Sequence, residues 1–395
     1  MDKLHESGAL RQLRRVVSVV LAAALCGMAA ACTDGEEKDE TPQVVRLGAL
    51  IPLTGDNAPT GKRLLEAYQI AIQDANEAGG VLGRKVELVV GDDACDPGTA
   101  VVKANEMIGR DITVSVGGGC SVAAVPVLKV FHTAGIPMII PAANSTDLLV
   151  PGYNSVFLLS GTTTVEAAHA VDAMEALGRK RLLVIDDGTS FPETIADAAV
   201  ADVNKSGGPL RLADQITVSQ GATSYPRVVD TVREKNADLV FFTGYYPEAA
   251  RMIRDLRDSG FQGTIMLSDA GTDPTLFDQL TDAQEKGVYG ITLPLAQFEP
   301  AASDWAAKYR ASYGHEPGPF TMQAYDAVRL SLNAIQRAGS LDREAVRKAI
   351  AETKPGDIEL LSGPAEFKPD GTQPNPTFIL LQIKNGEFSL VREVS

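Results

Sequence analysis

The sequence predicts an α/β protein made of two doubly wound parallel-sheet lobes, and three observations carry that expectation. From Val44 onward, short apolar runs alternate with amphipathic segments of helical period. The apolar runs are solid rather than alternating, as strands buried on both faces require. The alternation then starts afresh near residue 163, which makes two similar lobes rather than one.

VVRLGALIPL (44–53) reads as the first strand, and GKRLLEAYQIAIQDANEAGG (61–80) as a helix closed by glycines. KVELVVGDD, TVSVGGG and PMIIPA read as further strands, with the helices TAVVKANEMIGR and VAAVPVLKVFHTAG between them. In the second set, TTVEAAHAVDAMEALG, PETIADAAVADVNKSGG and PEAARMIRDLRDSG read as helices, and RLLVIDD, ADLVFFTG and GTIMLSD as strands. KGVYGITLPL (286–295) reads as a crossover strand. A helix containing Trp305, the helix FTMQAYDAVRLSLNAIQRAG and a β-rich end, FILLQIKNGEFSLV, follow. The expected division is 44–162 with 292–368 for one lobe, and 163–291 with 369–395 for the other.

The first 43 residues have a different character. Lys3, Arg11, Arg14 and Arg15 precede the apolar run Val16 to Leu25, and small residues lead to Cys32. A basic n-region, a short h-region and a small-residue cleavage site make residues 1–31 an export signal. The run is too short for a comfortable membrane span. Ala29-Ala30-Ala31-Cys32 resembles the lipobox of bacterial lipoproteins, with Ala29 where Leu is usual. It implies lipidation of Cys32 and retention on the outer face of the cytoplasmic membrane, or in the periplasm. Cys26 is a poorer candidate because bulky Leu25 precedes it. Residues 32–43, rich in acidic and polar side chains, read as a solvated tether.

The chain has 395 residues and a net charge of −15, with no basic face, so nucleic acid is not an expected partner. Two of the four cysteines belong to the N-terminal segment, leaving Cys95 and Cys120. In an oxidising compartment these two most simply pair, contributing about 3–4 kcal/mol by loop entropy; two buried free thiols are the alternative.

Catalytic patterns are missing. The four histidines fall outside any HExxH spacing, and there is no GxSxG elbow. GDNAPTGKR (55–63) has one residue too many for a phosphate loop, and Arg63 replaces the Ser/Thr that holds magnesium. Asp92-Asp93 and Asp186-Asp187 read as loop and cap carboxylates rather than metal ligands. No enzyme activity, metal or cofactor is expected.

Binding fits better, because doubly wound folds take ligands beyond the carboxyl ends of their strands. GGGCS (117–121) delivers Ser121 to such a place, where its hydroxyl and the following backbone N–H groups suit a carboxylate. PAANST (141–146) offers Ala142 backbone and the Asn144 side chain. From the second lobe, Tyr245 and Asp269 stand at strand ends, Asp269 suited to an ammonium group. Phe191, in a loop, suits an apolar side chain.

DDACDPG, GGGCS, IIPAAN and GYYPE together resemble the leucine/isoleucine/valine-binding protein family, type I periplasmic binding proteins that deliver ligands to ABC transporters. The likeness runs from GALIPLTGDNAPTG to the last strand. It implies two lobes joined by a three-stranded hinge, a Cys95–Cys120 disulfide and an amino acid ligand. By the same resemblance Ser121 holds the ligand carboxylate, Ala142 contributes backbone and Tyr245 lines the cleft. Asp269 stands where a Glu meets the α-ammonium, and Asn144 where the family has Ser or Thr. Phe191 replaces a usual tyrosine, Thr60 an aromatic residue and Gly119 a pocket Leu. The last two changes imply a roomier or more polar pocket, so the expected ligand is an amino acid or related small carboxylate. The implied role is capture by lobe closure, as a monomer serving ABC permease subunits. Ligand sensing without transport is the other expected role of this fold.

Overall fold

The computed structural model describes residues 44–394. The export signal, the tether and Cys32 lie outside the described residues. In the first lobe the elements are β1 (Val45–Ile51), α1 (Ala58–Glu77), β2 (Val86–Asp92), α2 (Pro97–Gly109), β3 (Val114–Ser115), α3 (Ser121–Thr133), β4 (Met138–Ile140) and β5 (Val156–Leu158). Their strands pair in the order β2-β1-β3-β4-β5, all parallel.

The second lobe follows with α4 (Thr163–Ala176), β6 (Arg181–Asp186), α5 (Ser190–Ser206), β7 (Arg211–Thr217) and α6 (Pro226–Lys235). It continues with β8 (Leu239–Phe242), α7 (Tyr246–Asp258), β9 (Thr264–Leu267) and β10 (Val288–Thr292). The chain then returns to the first lobe with α8 (Ser303–Tyr313), α9 (Thr321–Ala338) and α10 (Arg343–Ala351). The Tyr325 hydroxyl donates to Asp74 of α1, and Arg343 donates to the Ile112 carbonyl, which fixes α9 and α10 there. After the short hairpin β11 (Glu359–Leu360) and β12 (Gly363–Pro364), β13 (Phe378–Lys384) and β14 (Glu387–Val394) add antiparallel to β10. The second sheet has seven strands, ordered β14-β13-β10-β9-β8-β6-β7.

The solid apolar runs have a direct cause. Along β6, Leu182 and Val184 belong to one hydrophobic cluster, while Leu183 and Ile185 belong to the other. Strand β8 alternates in the same way, with Phe241 on one side and Val240 and Phe242 on the other. Side chains of a strand point alternately to the two faces, so burying both faces demands an apolar residue at every position. β7 lacks this signature because it is the edge strand: RLADQIT is mostly half-buried or exposed.

Hydrogen bonding locates two of the passages between the sheets. Thr292 still pairs with Ile379 in the second sheet. Gly371 accepts a hydrogen bond from the Leu158 N–H, which holds it against the first sheet, so the last passage lies between Thr372 and Phe378. Phe191 belongs to α5 as its second residue and not to a loop, because the helix starts at Ser190.

Close approach of backbones decides one helix position. Gly61, in the first turns of α1, sits where a Cβ would stand 1.7 Å from the Pro52 carbonyl oxygen. Intrinsic helix propensity favours alanine over glycine by about 1 kcal/mol, but a backbone carbonyl is not free to move aside. We expect Gly61→Ala to destabilise the protein by about 1–3 kcal/mol, read as a lower urea midpoint; a higher midpoint would show that α1 can slide outward at little cost.

Candidate functional site

In each lobe the strand order turns back on itself beside the first strand of that lobe. β1 lies between β2 and β3, and β6 between β7 and β8. The crevices at the carboxyl ends of these strands are where an open α/β sheet offers loops and helix N-termini to a ligand. Here the crevices of the two lobes meet. One cleft is lined by Pro52, Asn57, Thr60, Gly119, Cys120, Ser121, Ala142, Ala143, Asn144, Phe191, Tyr245, Asp269, Ala270, Asp273, Pro319 and Phe320. All eight residues singled out in the sequence are in that lining.

The first-lobe wall is shaped by GGGCS. A Cβ on Gly117 would meet the Leu50 backbone at 2.2 Å, and Gly118 has φ of 125°, so neither position admits a side chain. The turn delivers Cys120 to the cap of α3 and Ser121 to its first residue. The opening N–H groups of α3 have no intrahelical partner, and Cys120 and Ser121 bring that helix end to the cleft. The Ser121 hydroxyl accepts a bond from the Ser145 N–H at 3.2 Å. Cys95 and Cys120 are joined as a disulfide, with Cα atoms 5.5 Å apart.

Two expectations about pocket size take a different form. The space beside Gly119 is occupied, since a Cβ there would be 2.8 Å from Pro52 Cδ. Thr60 donates its hydroxyl to Asp273 at 2.6 Å, so its polarity serves a contact between the lobes. The apolar part of the lining comes from Phe191 and Tyr245, whose ring centroids are 5.7 Å apart, and from Phe320, which holds a left-handed φ of 63° at the cap of α9.

Asn144 carries the central contact. Its Nδ2 donates to Asp269 Oδ2 and to Glu166 Oε2, each at 3.1 Å. Glu166 Oε1 in turn accepts the Asp269 N–H at 2.9 Å. Asn144 is 1% exposed, Asp269 2% and Glu166 0%. Burial pushes the Asp269 carboxyl well up from the usual carboxylate range. Burial, with the Asp269 charge added, likewise pushes the Glu166 carboxyl well up from its ordinary range. The Tyr245 phenol is also raised, by burial and then by the charges of Asp187 and Asp269.

Further contacts close the lobes on each other. Arg63 of α1 donates to Asp273 at 2.8 and 3.1 Å. The Tyr246 hydroxyl donates to the Asp56 carbonyl at 2.7 Å, and Arg251 pairs with the Asp56 carboxylate at 3.1 Å. The Ser190 hydroxyl donates to Asp147 at 2.7 Å and lies 2.8 Å from the Ser145 hydroxyl. The arrangement is thus a closed one.

Glu166, Asp273, Arg63 and Phe320 escaped the sequence reading. Glu166 stands in the first turn of α4, where an acidic residue ordinarily serves the helix N-terminus; its complete burial is a tertiary fact. Arg63 carried a signal, since it occupies the magnesium-ligand position of a failed phosphate loop, but nothing nearby in sequence announced Asp273. The acidic pairs behave as loop carboxylates. Asp92 accepts from the Leu53 and Ala94 N–H groups, and Asp187 from Thr189. Among the described residues no group of three His, Cys, Asp or Glu side chains suits a metal ion.

The periplasmic binding protein family model matches residues 44–387. A Leu/Ile/Val-binding protein homolog of Brucella melitensis biotype 1 is 30% identical over 346 residues, 87% of this chain and 92% of the relative. An amino acid binding protein of Pseudomonas aeruginosa is 29% identical over 334 residues, 83% of this chain and 87% of its own. Among solved structures, a leucine binding protein from Thermotoga maritima is 26% identical with a TM-score of 0.82, covering 89% of this chain and 99% of that one. The chain therefore belongs to the periplasmic binding protein family, an extracytoplasmic family of solute-binding proteins and not of enzymes.

Proposed function

We propose that this protein is the substrate-binding lipoprotein of an ABC importer and captures an amino acid between its lobes. The observation that carries the reading is the convergence of Ser121, Asn144, Phe191, Tyr245 and Asp269 on one cleft from two lobes. The helix N-terminus and hydroxyl at Ser121 suit the ligand carboxylate. The Asp269 carboxylate suits its ammonium, with the Ala142 and Ala143 backbone alongside. Phe191, Tyr245, Pro52 and Phe320 suit an apolar or small side chain. One named relative is a homolog of Leu/Ile/Val-binding proteins, another is an amino acid binding protein and the solved structure is a leucine binding protein, which supports the same ligand class here.

Ligand binds first to the Ser121 wall and the second lobe then closes over it. Contacts that exist only in the closed arrangement stabilise the ligated state, and the latch between Arg63 and Asp273 adds to them. The closed form is what a permease would recognise. Lipidation at Cys32, after removal of residues 1–31, would hold the protein at the membrane as a monomer.

Titration calorimetry against the twenty proteinogenic amino acids tests the reading: micromolar or tighter binding of at least one supports it, and silence across the set defeats it. Asp269→Ala is expected to weaken the amino acid that binds by about 2–5 kcal/mol, the scale of truncating one side of a buried pair. Arg63→Gln leaves the buried Asp273 carboxylate without its cation. Its ligand-free form should expand in small-angle X-ray scattering and its dissociation constant rise about tenfold; an unchanged scattering profile would show that the latch does not govern closure.

A further inference from the structure

Two fully buried carboxylates meet on a single amide group at the inner edge of the cleft. Asp269 lines the cleft; Glu166 does not, and stands behind it. Both accept from the same Asn144 NH₂. A Ser or Thr hydroxyl has one proton to donate, whereas an amide NH₂ has two. The departure to Asn144 therefore matches the presence of a second carboxylate: each acceptor receives one N–H. The amide is neutral, so it satisfies hydrogen bonding but not charge.

No cation does so either. Neither carboxylate has a Lys, Arg or His ion-pair partner among the described residues, Arg63 is committed to Asp273, and His169 of α4 meets Phe378 and its own Val165 carbonyl. Among the described residues, the Tyr245 phenol of the second lobe feels the Asp269 charge together with those of Asp187, Glu248 and Asp93, all acidic. Two like charges in a dry site cannot both persist, so the empty pair retains a proton.

We propose that Glu166 is a positioning residue that makes ammonium capture an exchange: a cationic amine settles against Asp269 and the Glu166–Asp269 pair gives up a proton to solvent. This rests on the amino-acid reading above and goes beyond it, since it requires a charged amine and disfavours carboxylates that lack one. The sign follows from linkage. The complex holds fewer protons than the free protein, so affinity rises with pH, by up to tenfold per unit while one proton is released. Burial raises the proton affinity of both groups, so the free pair keeps its proton to higher pH than exposed carboxylates would.

The full-length chain is titrated with each proteinogenic amino acid, and with benzoate and 2-oxoisocaproate as amine-free carboxylates, at pH 6, 7 and 8 in buffers of different ionisation enthalpy. The buffer dependence of the heat counts protons. The expected result is an amino acid bound with proton release and affinity that climbs from pH 6 to 8. Glu166→Gln keeps an acceptor for the Asp269 N–H, removes one of the two carboxylates and should cut the proton release. Amino-acid binding without proton release in the unmodified protein, or equal release by the Gln variant, overturns the exchange while leaving amino-acid capture intact. Binding of the amine-free acids alone, or of nothing, overturns both.

Discussion

The constraint behind the whole site is the shortage of positive charge around Glu166 and Asp269. Glu166 and Asp269 are buried together, and Asn144 offers them only dipoles. Water would solvate such charges well, and a closed cleft withholds it. A ligand that brings an ammonium therefore supplies what the protein omits. A protein-borne lysine or arginine there would have made the closed state self-sufficient and independent of ligand. On the proposed reading, leaving the charge incomplete would tie closure to occupancy, because the closed arrangement would be best satisfied when a cation completes it.

The remaining contacts between lobes are complete in themselves. Arg63 with Asp273, Arg251 with Asp56, and Ser190 with Asp147 each join a donor and an acceptor supplied by the chain. They flank the cleft and favour closure whether or not it is filled. The buried Arg63 pair combines good geometry with the Thr60 hydroxyl on the same carboxylate, which offsets part of its desolvation cost. On the proposed reading, the balance between these ligand-independent latches and the incomplete charge at Asp269 would set how far closure waits for ligand.

Much of this was legible in the chain. Solid apolar runs announced strands buried on both faces, and Leu182 to Ile185 show why every position had to be apolar. Strand-end placement brought Ser121, Asn144, Tyr245 and Asp269 to one cleft. What stayed hidden depends on distance in sequence. β7 is an edge strand and carries no apolar run. Phe191 read as loop because its helix starts two residues before the proline that seemed to open it. Glu166 lies 103 residues from Asp269, and in sequence it is simply an acidic residue in a first helical turn. Gly119 looked like freed space, yet Pro52 fills the position a side chain would take.

Asn144 shows how a local departure can report a remote one. Taken alone, an amide at a hydroxyl position only puts a ligand contact in question. Counting protons changes its meaning. One carboxylate needs one hydroxyl; two carboxylates sharing a site need two N–H groups fixed at the spacing of an amide. The residue at 144 thus has a donor to spare beyond Asp269, although it cannot name Glu166. The structure supplies the name, and with it a reason for the acidic residue at the start of α4 to turn inward instead of serving its own helix.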